Sequence, residues 1–356
     1  MSLLKKLHFD FDTNQAILKK IAKIDAFQSG WEILEQKENR SLKELHKIAT
    51  LQSIGSSTRI EGSRLSDDEV QHLLKNLKIT KLKTRDEEEI AGYYEVLELI
   101  FEQYSFIDFT ESNILQFHHL LLKHSQKDQR HKGTYKNLSN EVVATSPAGG
   151  KKVIFKTTPP HLVAKEMQEL IDWTNEQLSK KDIHPLLIIA VFVYEFLSIH
   201  PFQDGNGRLS RLLTTFLLLK EGYQFITYIS FENQIEQQKK DYYEALMDGQ
   251  KNRYQENENI KSWVLFFLNS LEVLLVKLDK KYQEFLQKAT YLNERQKQIL
   301  AFIEEHQPVK LADITSHFPH VSIHTIKKDI QVLQKEKKIE KMGEYKGSIY
   351  MIPSKF

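Results

Sequence analysis

The 356-residue chain has no cysteine, eight prolines, thirteen glycines and almost no excess of charge. The absence of cysteine excludes disulfides, thiolate metal centres and cysteine nucleophiles. Because proline and glycine are scarce, long stretches run uninterrupted. Apolar residues recur through them at helical spacing, which predicts a mainly α protein. Fifty Lys/Arg against forty-eight Asp/Glu leave a formal charge of +2, so bulk charge points to neither a nucleic-acid nor a membrane partner. The first residues, Met-Ser-Leu-Leu-Lys-Lys-Leu-His, lack the long apolar core of a signal peptide, and the apolar run 186–199 is shorter than the ~20 residues of a membrane span. A cytoplasmic protein is expected. No repeat of solenoid period and no low-complexity tract is visible, and 40% hydrophobic residues suffice for a sizeable core in two or three domains.

Residues 200–211 read His-Pro-Phe-Gln-Asp-Gly-Asn-Gly-Arg-Leu-Ser-Arg. The run 186–199 leads in, and an amphipathic run 209–220 leads out to Gly222, a residue type that often ends a helix, so the motif reads as a tight loop between two helices. Gly205 and Gly207 let the backbone turn and approach a ligand closely, while the following helix offers N–H groups and the positive end of its dipole: an anion cradle. Arg208 and Arg211, three apart, reach from one helical face with planar forks that suit phosphate oxygens. Asp204 adds a hard oxygen ligand of the kind Mg²⁺ takes beside substrate phosphates. A corner that only turns the chain has no need of His, Asp, Asn and two Arg together.

These residues match every fixed position of the Fic (Fido) family motif, His-Pro-Phe-x-Asp/Glu-Gly-Asn-Gly/Lys-Arg-x-x-Arg, and through it the chain resembles that family. The resemblance implies transfer of a nucleoside monophosphate, usually AMP from ATP, to a protein hydroxyl. It further implies that His200 takes the proton of a target Ser, Thr or Tyr, and that Asp204 holds Mg²⁺ on the phosphates. The N–H groups at Gly205 to Gly207 with the Asn206 side chain would hold the α-phosphate, Arg208 the β- and γ-phosphates, and Arg211 the γ-phosphate. Relatives that transfer other groups often carry lysine where this chain has Gly207, which favours AMP.

Upstream, residues 15–51 give two amphipathic helices with Trp31, Ile33 and Leu34 as expected core. Ser57 lies one turn before Glu61 on the same helical face, and Gly62 can end that turn. The order Ser57-x-x-x-Glu61-Gly62 resembles the family's inhibitory signature, which implies that Glu61 pairs with Arg211 and takes the place of the γ-phosphate. Ser66 is an expected N-cap, helices are expected at 87–101 and 110–122, and the pair His118-His119 is read as structural, since no matching ligand cluster accompanies it.

Two β-prone runs, 142–144 and 153–155, flank a turn-rich stretch and predict a hairpin. The family has a flap at this place that adds the target backbone as an extra strand, so Val153, Ile154 and Phe155 are the expected docking edge. Tyr242, in a Tyr-Tyr-x-x-Leu segment similar to the family's, either stacks on adenine or packs in the core, and Gln250 stands where relatives often have asparagine. Residues 291–356 read as three helices, then two short strands, an order that resembles a winged helix. Eleven Lys/Arg against eight Asp/Glu there fall short of a strongly basic domain, so a protein-interaction or dimerisation module is favoured over DNA binding.

The reading is a mainly α chain: an N-terminal helical region with inhibitory helix (1–108), a catalytic core with hairpin flap (109–255), a connecting helix (256–290) and a winged helix (291–356). The expected activity is AMP transfer from ATP, with Mg²⁺, to a protein hydroxyl, including its own, restrained by Glu61. The alternatives are removal of AMP by a water that Glu61 positions, and a DNA-binding regulator whose core modifies itself. The expected partners are a target protein and a second copy of the chain, with no membrane.

Overall fold

The structure, a computed structural model, describes residues 3–36, 40–77, 81–145, 151–289, 292–343 and 347–353. Its contacts divide into two units, Met1–Lys280 and Lys281–Phe356. In the first, a 3-10 turn (Leu3–Leu7) precedes α1 (Phe11–Glu35), α2 (Arg40–Ile60), α3 (Asp67–Asn76), α4 (Arg85–Gln103) and α5 (Glu111–Leu121). The hairpin β1 (Glu141–Thr145) and β2 (Lys151–Lys156) comes next, then α6 (Pro160–Lys180), α7 (Pro185–Ile199) and α8 (Asn206–Lys220). A second 3-10 turn (Gln224–Tyr228), α9 (Phe231–Gln237), α10 (Lys239–Gln250) and α11 (Lys261–Ala289), whose last residues belong to the second unit, follow. Ser66 caps α3 as expected, in a reciprocal capping box with Glu69, and Thr84 with Glu87 forms a second box at α4, each satisfying N–H groups that a helix end leaves bare.

Helix α7 is the central rod. Every residue from 188 to 199 is buried, packed between α6 and α8, and Ala190 accepts a hydrogen bond from Trp263 Nε1 (2.7 Å). Each buried Phe or Leu there contributes about 1.5–3 kcal/mol. The one carboxylate in α7, Glu195, is matched by Lys6 and Arg253, and Lys6 also meets Glu258. Removing one partner of such a buried pair typically costs ~3–5 kcal/mol, because the other charge is left uncompensated. Trp31 is in the core at 4% exposure, but Ile33 is 57% exposed: two steps along α1 from a buried residue is the far side of the helix. The second helix of the 15–51 stretch also runs on to Ile60, which carries Ser57 to the motif.

The hairpin is antiparallel, with Glu141 opposite Lys156 and a bulge between Val142 and Val143 that leaves Ile154 without a partner in register. Among the described residues it is a sheet of two strands.

The second unit orders α12 (Glu294–His306), β3 (Val309–Lys310), α13 (Leu311–His317), α14 (Ile323–Lys335), β4 (Glu340–Met342) and β5 (Ile349–Met351). Its sheet runs β3-β5-β4, a winged-helix arrangement whose first strand, two residues long, is too short to leave a periodic signal. Ile299, Ile303, Ile314, Ile326, Ile330 and Leu333 form its core, and buried Asp329 ties α14 to Arg295 (2.6 Å) and Gln296 (3.0 Å) on α12. Among the described residues no helix is long and apolar enough to cross a membrane.

Candidate active site

The motif loop closes α7 and opens α8. His200 caps α7 in a left-handed conformation (φ 53°), with its N–H on the Phe196 carbonyl. Gly205, at φ 81°, makes the turn into α8. The Asn206 side chain accepts from the Phe202 N–H (2.8 Å) and donates to the Phe202 carbonyl (2.7 Å). Its amide is thus a clamp across the loop, with the oxygen and one of its two N–H donors engaged.

The His200 ring is set for proton acceptance. Nδ1 faces the Leu197 carbonyl (3.3 Å), which can only accept, so Nδ1 carries the proton and Nε2 keeps its lone pair. Burial first, and then the Lys136 ammonium, push the imidazole down to about 4, against the opposing pull of Leu197, Glu61 and Asp204. The ring is therefore neutral at pH 7.

Asp204 accepts from the Gly205 N–H (2.6 Å) and Arg208 Nη2 (3.0 Å), and faces Lys127 (3.3 Å) and Arg85 (3.8 Å). Burial alone would raise its pKa, but these cations and the N–H outweigh burial and hold it below the ordinary carboxylate range. Arg208 is 1% exposed, with Glu89 Oε1 3.3 Å from Nη1, and its Nε and Nη1 make no hydrogen bond. Buried guanidinium donors without an acceptor suit an anionic oxygen.

Arg211, 2% exposed, donates from Nε to Ser57 Oγ (2.8 Å) and from Nη2 to the Ser57 carbonyl (2.9 Å) and Glu61 Oε1 (2.9 Å). Gly62 ends α2 with φ 109°, which leaves Glu61 facing the start of α8. A β-carbon on Gly207 would lie 2.1 Å from Glu61 Oε1, so this carboxylate fills the anion cradle itself. Burial would raise the Glu61 pKa, but Arg211 and Arg208 outweigh it and keep the group charged.

Two of the expected nucleotide-binding residues, Tyr242 and Gln250, are engaged within the protein, and the expected docking residues lie on a strand. Tyr242 is 4% exposed, with its ring edge-on to Tyr243, Trp263 and Phe266 at 5.2–5.9 Å, so it packs in the core and is not free to stack on a base. Gln250 donates its amide to Ser198 on α7. The β2 backbone carries Val153, Ile154 and Phe155 as a strand, while the side chains of Val153 and Ile154 lie outside the described residues.

Sequence reasoning missed the residues that brace this site. Arg59 forms a fork on Glu236 (2.7 and 3.1 Å) and reaches Asp67 (2.9 Å), and Lys239 donates to the Ile60 carbonyl (2.7 Å), which fixes the end of α2 against α9 and α10. Glu89 on α4 faces Arg208 and Arg85; its spacing of four from Arg85 was the available signal. His118 is fully buried and stacked on Phe202 at 3.7 Å. The Gly133 N–H donates to its Nδ1 (2.8 Å), so Nε2 holds the proton and donates to the Asp204 carbonyl (3.0 Å).

Replacing His118 with phenylalanine keeps the stack but leaves the Asp204 carbonyl and Gly133 N–H without partners. We expect a stability loss of ~1–3 kcal/mol by chemical denaturation. Burial lowers the His118 pKa from 6.5 to about 4. A depressed folded pKa means that the wild type loses stability as pH falls from 6.5 toward 4, and His118→Phe should lose less across that window. Equal pH slopes would contradict a buried His118 that stays neutral in the folded state.

Comparison with known proteins agrees with this geometry. Residues 108–218 match the Fic/DOC family, and residues 295–343 a DeoR-like helix-turn-helix domain. The chain is 30% identical over 207 residues to the protein adenylyltransferase Fic of Drosophila willistoni, covering 58% of this chain and 39% of that one. The Drosophila melanogaster protein of the same name is 32% identical over 187 residues, 52% of this chain and 35% of that one. The chain thus spans well under half the length of these curated relatives. A Fic family protein of Desulfovibrio desulfuricans shares the fold with a TM-score of 0.64 at 20% identity, over 99% of this chain and 98% of that one. A Fic domain signalling protein of Bacteroides thetaiotaomicron does so at 0.60 and 24%, over 74% and 97%. By these matches the chain carries a Fic domain at 108–218 and a DeoR-like helix-turn-helix domain at 295–343.

Proposed function

We propose that the protein transfers AMP from ATP to a hydroxyl of a protein, its own included, and that Glu61 restrains it. The observation that carries this reading is the Glu61 carboxylate seated against Gly207 and bonded to Arg211, a built-in anion where a nucleotide phosphate would lie. In the reaction, Nε2 of His200 takes the proton from the target Ser, Thr or Tyr as that oxygen bonds to the α-phosphorus. The bond from the α-phosphorus to the bridging oxygen breaks, and pyrophosphate leaves. N–H groups at the start of α8 stabilise the charge on the α-phosphate oxygens, the Arg208 guanidinium, whose Nε makes no hydrogen bond and whose Nη1 faces Glu89, takes the β- and γ-phosphates, and Arg211 takes the γ-phosphate once Glu61 withdraws.

A divalent cation fits the donor set. Ionised Asp204 is one hard carboxylate, and no group of three metal-binding side chains stands near it among the described residues, as suits Mg²⁺ bound partly by substrate phosphates. Asp204 would hold it, and when bound it would supply neutralisation of phosphate charge. The β2 edge is the proposed docking strand for a target backbone. The test is incubation with α-labelled or γ-labelled ATP and Mg²⁺, followed by mass spectrometry. Covalent α-label supports AMP transfer, and γ-label alone would show phosphorylation instead.

Residues 291–356 are proposed as a separable module. Every group assigned chemistry here precedes Gln250, so a chain ending near Lys288 is expected to keep self-labelling within a few-fold of the full chain. A folded truncation without activity would contradict this. The exposed face of α14, with Ser322, His324, Lys327 and Lys328, supports DNA as a second partner class, checked by binding to random duplexes across a salt series.

A further inference from the structure

Lys136 lies in the loop before β1 and is 4% exposed. Its Nζ donates to the Ile199 carbonyl (3.1 Å), Asn140 Oδ1 (2.8 Å) and Thr157 Oγ1 (2.7 Å), and its backbone N–H donates to the Pro201 carbonyl (2.8 Å). Asn140 in turn donates to the Phe202 carbonyl (2.9 Å), and the Thr157 hydroxyl lies 2.6 Å from Asn140 Oδ1. Asn140 directly precedes β1 and Thr157 directly follows β2, so the ammonium joins both ends of the hairpin to the Ile199 carbonyl on one side of His200, while the Lys136 backbone N–H holds the Pro201 carbonyl on the other. All three of its donors end on neutral oxygens, and among the described residues no carboxylate pairs with it. A buried cation is costly unless fully hydrogen-bonded, and this one is. His200 itself sits in a left-handed conformation that a side chain with a β-carbon adopts only when its surroundings over-determine it.

We infer that Lys136 is a positioning residue that locks His200 in its left-handed conformation and fastens the motif to both ends of the hairpin, so that a polypeptide lying along β2 is held in register with the imidazole. This rests on the reading of His200 as the base and of the hairpin as the docking edge. Beside Lys136, the charged groups that face His200 are Glu61 at the end of α2 and Asp204 in its own loop, while Glu166 on α6 faces Lys136. Burial of Lys136 brings its own pKa down to about 8, so it still carries charge at neutral pH. After burial, Lys136 is what most lowers the His200 pKa, so its removal should let the imidazole protonate at higher pH.

The test has two arms on the full chain. In the first, with Glu61 intact, NMR of labelled histidine follows the His200 titration and hydrogen exchange follows the β2 amides. Lys136→Met should raise the titration midpoint of His200 toward 6.5 and speed β2 exchange, while Lys136→Arg, which keeps the charge, should leave the midpoint near the wild-type value. In the second, in a Glu61→Gly chain, Lys136→Met should lower maximal self-labelling roughly 10²-fold while the KM for ATP stays within about twofold, the split expected when the reacting groups are misplaced but nucleotide contacts are not. Thr157→Val, which removes the hydroxyl that links the β2 end to Lys136 and Asn140 and leaves the Lys136 bond to Ile199 in place, should speed β2 exchange without moving the His200 titration, and it decides the matter if Lys136→Met does not fold. Unchanged titration and exchange in Lys136→Met, or unchanged exchange in Thr157→Val, would overturn the inference. If no chain takes label from ATP, the adenylylation reading fails, and the first arm still decides the positioning role.

Discussion

Replacing His200 with alanine is expected to lower AMP transfer by roughly 10²–10⁴-fold, the usual effect of removing a general base, while ATP binding measured by calorimetry stays within a few-fold. The two effects separate because, in the proposed mechanism, the imidazole meets the nucleophile, whereas phosphate binding falls to the start of α8 and the two arginines. The protonation geometry makes the expectation specific. With the Nδ1 proton turned to the Leu197 carbonyl, the lone pair on Nε2 is the only base the ring offers. The group is active when neutral, so transfer should fall as pH drops through its pKa. Burial and Lys136 set that pKa below 6.5, so the acid limb should lie on the acid side of 6.5. Near wild-type transfer by His200→Ala would remove the imidazole from the mechanism.

Glu61→Gly is expected to raise transfer roughly ten- to hundredfold. A charge-assisted hydrogen bond contributes ~1.5–3 kcal/mol, and because the Glu61 side chain is 31% exposed, solvent screening places this one toward the lower end. Removing the carboxylate also frees the cradle at Gly207, which acts in the same direction. Adding Arg211→Ala should erase the gain and take activity below wild type, since the same guanidinium is the proposed γ-phosphate ligand. Label transfer for the wild type, both single variants and the double variant forms a complete cycle. An unchanged rate in Glu61→Gly, with ATP still bound, would mean that the end of α2 exerts no control. A simultaneous loss of AMP removal from a premodified protein would favour the hydrolytic alternative.

What the sequence made legible was local. Residues 200–211 lie within a single loop and the first turns of α8, so spacing alone brought His200, Asp204, Arg208 and Arg211 to one place. Ser57 and Glu61, four apart, share a helical face in the same way, and the structure brings both to Arg211. The mainly helical architecture followed from periodicity and scarce glycine and proline. What escaped was long-range: the Arg59–Glu236 fork and the Lys136 bonds join segments whose meeting no local pattern encodes. Helix α9 is seven residues long, too short to show a period. Tyr242 shows the limit of periodicity, which marks a residue as inward-facing but does not say whether the interior there is a pocket or packed core.

The fit of the Glu61 carboxylate against Gly207 depends on a single hydrogen standing where every other amino acid has a carbon. Even alanine at 207 would push the carboxylate off the cradle, while leaving the loop clamp at Asn206 and the histidine cap untouched. Two positions far apart in the chain are therefore constrained as one. If Glu61 restrains the site as proposed, a lineage that acquires any side chain at 207 displaces that carboxylate in the same step.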